Sequence, residues 1–435
     1  MTVRETALSL LLEYENSGKY VNLSLSSHKA DNLDAKERSF LTVLLYTTVE
    51  RKITYDYIIS ALAARSIDDV APRVKNILRL GLCQLMHVDS VPDFAAVNET
   101  VKLGKNKGER AFINGVMRAA VRSKDSLPMP DRKKNEARYL SVFYSFPLAT
   151  VKRFISIFGE AETELLLRRF NSVPTTSLSV NTLKILREDF VSKLVESGVK
   201  ASIAENSKIT VKIDGSVNPC QIFGFDEGLF FVQDEASAVA VAALGVGAND
   251  TLVDVCACPG GKSFSAYILS GGAKIYAFDI HESKLSLISG GAERLGIEIE
   301  YAVRDAEAPD EALFGKADKL ICDVPCSGLG VLAKKPDLRY KDIAAADELP
   351  ALQLSILRNS SRYLKVGGEM IYSTCTLNAA ENEGVVRSFL ECEENFELVD
   401  FSVGALSSSG GMLTLLPHVH GTDGFFIAKL KRISE

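Results

Sequence analysis

Two cysteines and one aspartate stand in settings suited to covalent chemistry. Cys326 lies in Asp323-Val324-Pro325-Cys326-Ser327-Gly328 and Cys375 in Tyr372-Ser373-Thr374-Cys375-Thr376. Each motif follows a short apolar run, so each is expected at the end of a strand. If those strands belong to one parallel sheet, both thiols and the carboxylate open onto a single crevice. One reaction that wants this set is alkylation at carbon 5 of cytosine. That carbon is a poor nucleophile until a thiolate adds at carbon 6, and afterwards the hydrogen on carbon 5 must leave before the thiolate can be expelled. Cys375, Asp323 and Cys326 can serve respectively as nucleophile, as holder of the pyrimidine amidine edge and as aid to elimination. A carboxylate suits that edge because it accepts a hydrogen bond from the amino group. The base must leave its stack to reach such a pocket.

A second constellation points to a cofactor. Cys256-Ala257-Cys258-Pro259-Gly260-Gly261-Lys262 follows one strand and leads into a helix. Glycines at such a turn let backbone approach a ligand, and the helix start offers free N–H groups. The next strand ends in Asp279, where a carboxylate can accept hydrogen bonds from both ribose hydroxyls. The third ends in Asp305, placed to reach an adenine amino group. An adenosine ligand is therefore expected. Neither G-x-G-x-x-G nor G-x-x-x-x-G-K-[ST] is present, which argues against a dinucleotide and a phosphate loop. A single Gly-Gly pair suits S-adenosylmethionine, which has no pyrophosphate to cradle. Lys262 serves either as a local charge cap or as a contact to cofactor or substrate. Cys256-x-Cys258 and Cys322-x₃-Cys326 lack a matching histidine cluster, so no metal site is expected.

The elements that must position these groups are legible in the hydrophobic pattern. From Arg4 to about Arg122 apolar residues recur at helical spacing, with turn or cap signals such as Asn32 and Asp34. The stretch from Ser123 to Lys134 has two prolines and no periodicity and reads as a linker. A mixed section follows: helical patterning around 151–170, strand-like TSLSVNTL, a helix REDFVSKLVESGV, then ITVKI and GLFFVQD. After Ala236 the rhythm is strand then helix, with strands at 251–257, 274–280, 297–305, 318–324 and 369–375. That pattern implies a doubly wound, mostly parallel sheet.

Composition narrows the class. The chain has 435 residues, 46% hydrophobic and 24% charged, which excludes disorder and coiled coil as the main state. The stretch nearest to a membrane span, Leu41 to Val49, is about half the roughly 18 residues such a span needs. Eight Cys, and an opening without a basic stretch followed by an apolar run, favour reduced thiols in the cytoplasm over secretion. The net charge of −6 hides an asymmetry: residues 1–140 carry 22 Lys+Arg against 17 Asp+Glu. The densest basic stretch, Lys102 to Arg138, has 11 basic residues against four acidic ones and is either a solvated face or a polyanion contact. KKPDLRYK (Lys334 to Lys341) reads likewise as an RNA-backbone contact or a solvated loop.

The CACPGGK turn, Asp279, Asp305, DVPCSG and YSTCT resemble the motifs of RNA cytosine-C5 methyltransferases of the NOL1/NOP2/Sun family. In that family the thiolate of the later Thr-Cys motif is the nucleophile, and the Pro-Cys cysteine assists product release. DNA cytosine methyltransferases place the nucleophile in the Pro-Cys motif, so the pair of cysteines implies RNA and not DNA. VNTLK, FFVQDEASA and TDGFFIAKL are also similar to the family. LRLGLCQL, AAVNETVKL and FINGVMR resemble the NusB-like RNA-binding domain that marks its bacterial 16S rRNA branch, the Sun, Fmu or RsmB type.

The resemblance implies a multidomain chain. A NusB-like all-α RNA-binding domain spans 1–122, a linker 123–134, a small α+β RNA-binding subdomain 135–235, and a Rossmann-like α/β class I methyltransferase domain 236–435. It implies Cys375, Cys326 and Asp323 as catalytic residues. Cys256, Ala257, Cys258, Pro259, Gly260, Gly261, Lys262, Asp279, Asp305 and Asp323 would bind S-adenosyl-L-methionine. The partner implied is 16S rRNA, met in the cytoplasm by a monomer with no membrane contact. Cys258 stands where the family commonly has Ala, and the chain has no Trp. An assembly factor with the fold but no turnover is the competing class, and the retained pair of thiols speaks against it.

Overall fold

The computed structural model describes residues 2–17, 33–215, 217–308, 310–341 and 346–435. Asn32, expected as a cap signal, lies outside them. The chain divides into two compact units, one of residues 1–168 with Lys335–Lys341, the other of 169–334 with 342–435.

The first unit is helical, as its periodicity predicts. Asp34 starts the helix Ala35–Glu50 with a capping box: its carboxylate accepts the Glu37 N–H at 2.8 Å while Glu37 accepts the Asp34 N–H at 3.2 Å. Asn106 caps Lys107–Arg122 by accepting the Glu109 N–H at 2.9 Å. That helix buries Ile113, Val116, Met117 and Ala120 and leaves Arg110, Arg118 and Arg122 exposed.

The compact units divide after Arg168. The helix Glu136–Tyr144 folds back onto Lys52–Ala63: Thr54 donates its hydroxyl to the Val142 carbonyl at 2.5 Å, and Ser145 Oγ accepts the Ile53 N–H at 3.0 Å. The proline-containing stretch is thus a connection inside the unit. The helical stretch expected around 151–170 runs over Leu148–Phe170, with a break where Gly159 takes φ 79° and ψ 171°. KKPDLRYK is only partly solvated: Lys335 and Lys341 are exposed while its centre is buried. Leu338 and Arg339 are buried; the Arg339 guanidinium lies 4.1 Å from the Phe146 ring, and the Tyr340 hydroxyl donates to the Val49 and Glu50 carbonyls at 2.7 and 3.1 Å.

The second unit holds two principal sheets. Strands β1 (Thr176–Val180), β2 (Ala201–Ile203), β3 (Thr210–Ile213) and β4 (Phe230–Val232) form an antiparallel sheet in the order β2-β3-β1-β4. The helix Arg187–Glu196 covers it through Phe190 and Leu194, which join Leu178, Val180, Val211, Ile213 and Phe230 in one core.

The larger sheet is built from β5 (Thr251–Asp254), β6 (Lys274–Asp279), β7 (Glu300–Val303), β8 (Ala317–Asp323) and β9 (Leu364–Thr374), all parallel. β10 (Phe396–Leu398) follows at one edge, β11 (Ser402–Val403) and β12 (Leu406–Ser407) pair only with each other, and β13 (Met412–Leu415) and β14 (Phe425–Arg432) complete the sheet. Its order is β10-β14-β9-β8-β5-β6-β7, with β14 antiparallel to β9, β10 and β13. Chain order reverses between β5 and β8. Such a switch point opens a crevice beyond the strand ends, so the turn after β5 and the loop after β8 face each other there.

Candidate active site

The two cysteine loops extend from neighbouring strands. β8 and β9 pair with Asp323 opposite Ser373, so the segments that follow run side by side. Cys326 Sγ and Cys375 Sγ end 3.2 Å apart. Two links hold them there. Ser327 Oγ and Thr376 Oγ1 are 2.7 Å apart, and the Gly330 N–H donates to the Cys375 carbonyl at 3.0 Å. A side chain at Gly330 would place its Cβ 1.9 Å from the Gly424 carbonyl oxygen, so only glycine allows the Pro-Cys loop to lie this close to the start of β14. Sharing a hydrogen bond with Cys375 holds the Cys326 thiol far above the ordinary range, with burial acting in the same direction.

Asp323, the last residue of β8, accepts the Ser373 hydroxyl at 2.7 Å and the Lys262 ammonium at 2.6 Å. The Lys262 side chain is 12% exposed and its Nζ lies 5.2 Å from the Phe425 ring. Burial pulls its pKa down, but Asp323 outweighs burial and the value is raised, so the group stays cationic. Lys262 therefore turns from its own glycine turn toward the thiol side of the crevice.

On the other side lies a cavity of about 480 Å³ lined by Cys256, Cys258, Asp279, Ile280, Asp305 and Asp323, among others. The Asp279 carboxylate accepts the Cys258 N–H at 3.2 Å and the His281 N–H at 3.0 Å through different oxygens. It is thereby oriented, and each oxygen keeps a lone pair for a ribose diol. Asp305 is exposed at the cavity rim, where its Oδ1 accepts the Glu307 N–H at 2.9 Å. Ala257, Pro259, Gly260 and Gly261 shape the turn: Gly260 has φ 109° and its N–H donates to the Ala257 carbonyl at 2.7 Å. A Cβ at Gly260 would meet the Phe264 ring at 2.3 Å. The cavity and its acidic pair fit an adenosine-bearing sulfonium. Burial pushes the carboxyl of Asp254, behind the turn, up to about 7, and it accepts the Ser263 hydroxyl at 2.7 Å. Cys322 is wholly buried within β8 and packs as an apolar residue.

Several residues of the site carry no spacing signal in the sequence. Glu381 is wholly buried and accepts hydrogen bonds from Ser327, Gln353 and Asn378, yet Asn378-Ala379-Ala380-Glu381-Asn382 reads as an ordinary polar loop. Gln233, in the FFVQDEASA motif, accepts the Ser179 and Ser265 hydroxyls at 2.7 and 2.6 Å. Lys334 pairs with Asp234 at 2.6 Å and Asp423 at 2.9 Å.

Comparison with known proteins follows this geometry closely. Residues 241–431 match the family model described as 16S rRNA methyltransferase RsmB/F, and residues 1–122 match the NusB family. A probable ribosomal RNA small subunit methyltransferase B of Bacillus subtilis (strain 168) is 33% identical over 447 residues, covering 99% of each chain. The chain belongs to the ribosomal RNA small subunit methyltransferase B family. Another probable member, from Synechocystis, is 34% identical over 448 residues, covering 99% of this chain and all of its own. The crystal structure of PH0851 aligns over 99% of this chain and 98% of its own, with a TM-score of 0.78 and 28% identity. NSun6 from Pyrococcus horikoshii with SFG covers 65% of this chain and 97% of its own at TM-score 0.58; at 22% identity it speaks to the fold alone. As a member of this family the chain is a small-subunit rRNA methyltransferase that uses S-adenosylmethionine. Among the described residues no helix is long and apolar enough to cross a membrane.

In the NusB-type unit the basic stretch is partly neutralised. Lys102, Lys124, Arg132 and Lys134 form ion pairs with Glu99, Asp93, Glu136 and Asp131. Lys105, Lys107, Arg122, Lys133 and Arg138 are exposed and have no ion pair among the described residues.

Proposed function

We propose that this enzyme methylates carbon 5 of a cytosine in 16S rRNA through a covalent bond between Cys375 and carbon 6. The observation that carries this reading is the 3.2 Å contact between Cys326 and Cys375 beside the Lys262–Asp323 pair. An enzyme that alkylated an exocyclic nitrogen or a ribose hydroxyl would have no use for two thiols at one point. Bound S-adenosylmethionine supplies the electrophilic methyl group. Asp279 and Asp305 hold its adenosine, and the turn from Cys256 to Gly261 presents backbone to it. Asp323 accepts from the cytosine amino group while Lys262 fixes the position of that carboxylate. The Cys375 thiolate adds at carbon 6, which makes carbon 5 nucleophilic. Cys326 assists removal of the carbon 5 proton, the double bond re-forms and Cys375 departs as thiolate. The uncompensated cations Lys105, Lys107 and Arg122 contact rRNA phosphates in the cytoplasm.

Cys375→Ser is expected to abolish turnover, and full activity in that variant would refute the nucleophile. Cys326→Ala is expected to accumulate a protein–RNA adduct that survives a denaturing gel. Normal turnover without adduct would remove Cys326 from the release step. Bisulfite sequencing of rRNA from cells with and without the gene reads the modified base directly.

A further inference from the structure

The two sulfurs touch, yet their surroundings differ in sign. The Lys262 ammonium lies within electrostatic reach of Cys375, and Glu381 within reach of Cys326. The Glu381 Oε2 atom accepts the Ser327 N–H at 2.8 Å and the Gln353 amide at 3.0 Å, and Oε1 accepts the Ser327 hydroxyl at 2.5 Å and the Asn378 amide at 2.8 Å. All four partners are donors, so both carboxylate oxygens act as acceptors. A buried carboxylate satisfied by neutral donors alone is a costly way to close a loop.

The same short segment also grips the second cysteine. Asn382 accepts the Thr374 hydroxyl at 2.6 Å and donates to the Thr376 carbonyl at 3.0 Å. The Asn378 N–H reaches Thr376 Oγ1 at 3.3 Å, and the Tyr372 hydroxyl donates to the Glu381 carbonyl at 2.6 Å. Residues 378–382 therefore clasp the Cys326 loop through Ser327 and the Cys375 loop through Thr374 and Thr376.

We propose that Glu381 is a positioning residue for Cys326, and that its charge, opposed to Lys262, directs the negative charge of the thiol pair onto Cys375. This rests on the reading of Cys375 as nucleophile. The groups facing Cys326 are Cys375 from the end of β9, Glu381 and the buried Tyr372 phenol; those on the Cys375 side are Lys262 and, beyond it, Asp323. Contact with Cys375 is the first cause that holds Cys326 protonated, burial the second, and Glu381 adds to both.

An order of events follows. In the resting pair Cys375 carries the charge and Cys326 the proton. Once the Cys375 lone pair is committed to the carbon–sulfur bond, the main cause of Cys326's low acidity is gone, and Cys326 can release its proton to solvent. It then takes the proton from carbon 5; that carbon–hydrogen pair forms the double bond, the carbon 6–sulfur pair returns to Cys375, and the starting charges are restored.

The test uses the full chain without RNA: iodoacetamide alkylation from pH 6 to 10, with the Cys326 and Cys375 peptides followed by mass spectrometry. In the parent Cys375 is expected to react first. Glu381→Gln is expected to raise the Cys326 rate at pH 8 about tenfold without raising that of Cys375, equivalent to about one pKa unit. Glu381→Asp, which keeps the charge, is expected to stay near the parent ratio, although both variants lower kcat with little change in KM for S-adenosylmethionine. An unchanged Cys326-to-Cys375 ratio in folded Glu381→Gln, or equal ratios in the two variants, would overturn the assignment. Should Glu381→Gln not fold, Ser327→Ala removes the hydroxyl contact of the Cys326 loop to Glu381, together with its link to Thr376, and is expected to raise the ratio at least threefold; no rise there overturns it equally. Failure of the nucleophile reading looks different: Cys375→Ser would methylate normally while the alkylation ratios stood.

Discussion

Replacing Lys262 by Met removes a cation whose side chain is 12% exposed and leaves the Asp323 carboxylate, 28% exposed, with only the Ser373 hydroxyl. Breaking a fully sealed ion pair from one side costs about 3–5 kcal/mol. The partial hydration of Asp323 reduces this to about 1–3 kcal/mol for Lys262→Met. Asp323→Asn strands the better-sealed ammonium and should cost about 2–4 kcal/mol. The double variant strands no charge, so its cost should fall below either single one, about 0–2 kcal/mol, leaving a coupling of at least about 2 kcal/mol. At about 2–4 °C per kcal/mol for a domain of this size, each single variant should melt several degrees early and the double should recover most of the loss. Far-UV circular dichroism is the suitable probe, because the chain has no Trp to report by fluorescence. All three variants should fail to methylate rRNA, so stability returns in the double variant and turnover does not. If the double loss equals the sum of the single ones within about 0.5 kcal/mol, the charges are not coupled and the electrostatic account of the pair is wrong.

Two further outcomes test other parts of the molecule. Burial raises the Asp254 carboxyl to about 7, so between about pH 4 and 7 the folded chain holds a proton that the unfolded chain has lost. Stability should fall as pH rises through that window; Asp254→Asn should flatten the fall and gain about 1–3 kcal/mol at pH 8, read by denaturant titration, and an unaltered slope would mean the carboxyl ionises freely. Replacing Lys105, Lys107 and Arg122 by Ala should weaken rRNA binding and reduce the slope of log affinity against log salt by about 2 units, in filter binding at several salt concentrations. An unchanged slope would return these residues to an ordinary solvated face. Point substitution is the better test than deleting 1–122, which would strip the cover from Leu338 and Arg339.

The parallel strands and the motifs at their ends were legible because period and spacing encode them locally: Asp279, Asp305, Asp323, Cys326 and Cys375 each terminate an apolar run or follow it closely. The antiparallel strands were not, since Phe425–Arg432 reads as one more apolar segment and only its pairing with β9 fixes its direction. The division of the compact units after Arg168 was not legible for a related reason. Prolines show that a helix stops, and they do not show where the next helix packs. Glu381 was invisible because its role depends on Ser327 and Gln353, 54 and 28 residues away in sequence. Lys262 was placed in the right turn, but the direction of its side chain came from Asp323 on another strand.

The capture of Lys335–Lys341 by the helical unit bears on how the chain is made. Residues up to Arg168 leave the ribosome first, yet the groove that receives Leu338, Arg339 and Tyr340 cannot be filled until about 170 further residues have been synthesised. At about 5–20 residues per second that is a wait of roughly 8–35 s. During it, the carbonyls of Val49 and Glu50 and the ring of Phe146 must make do with water or a chaperone. The first module to emerge is among the last to be finished.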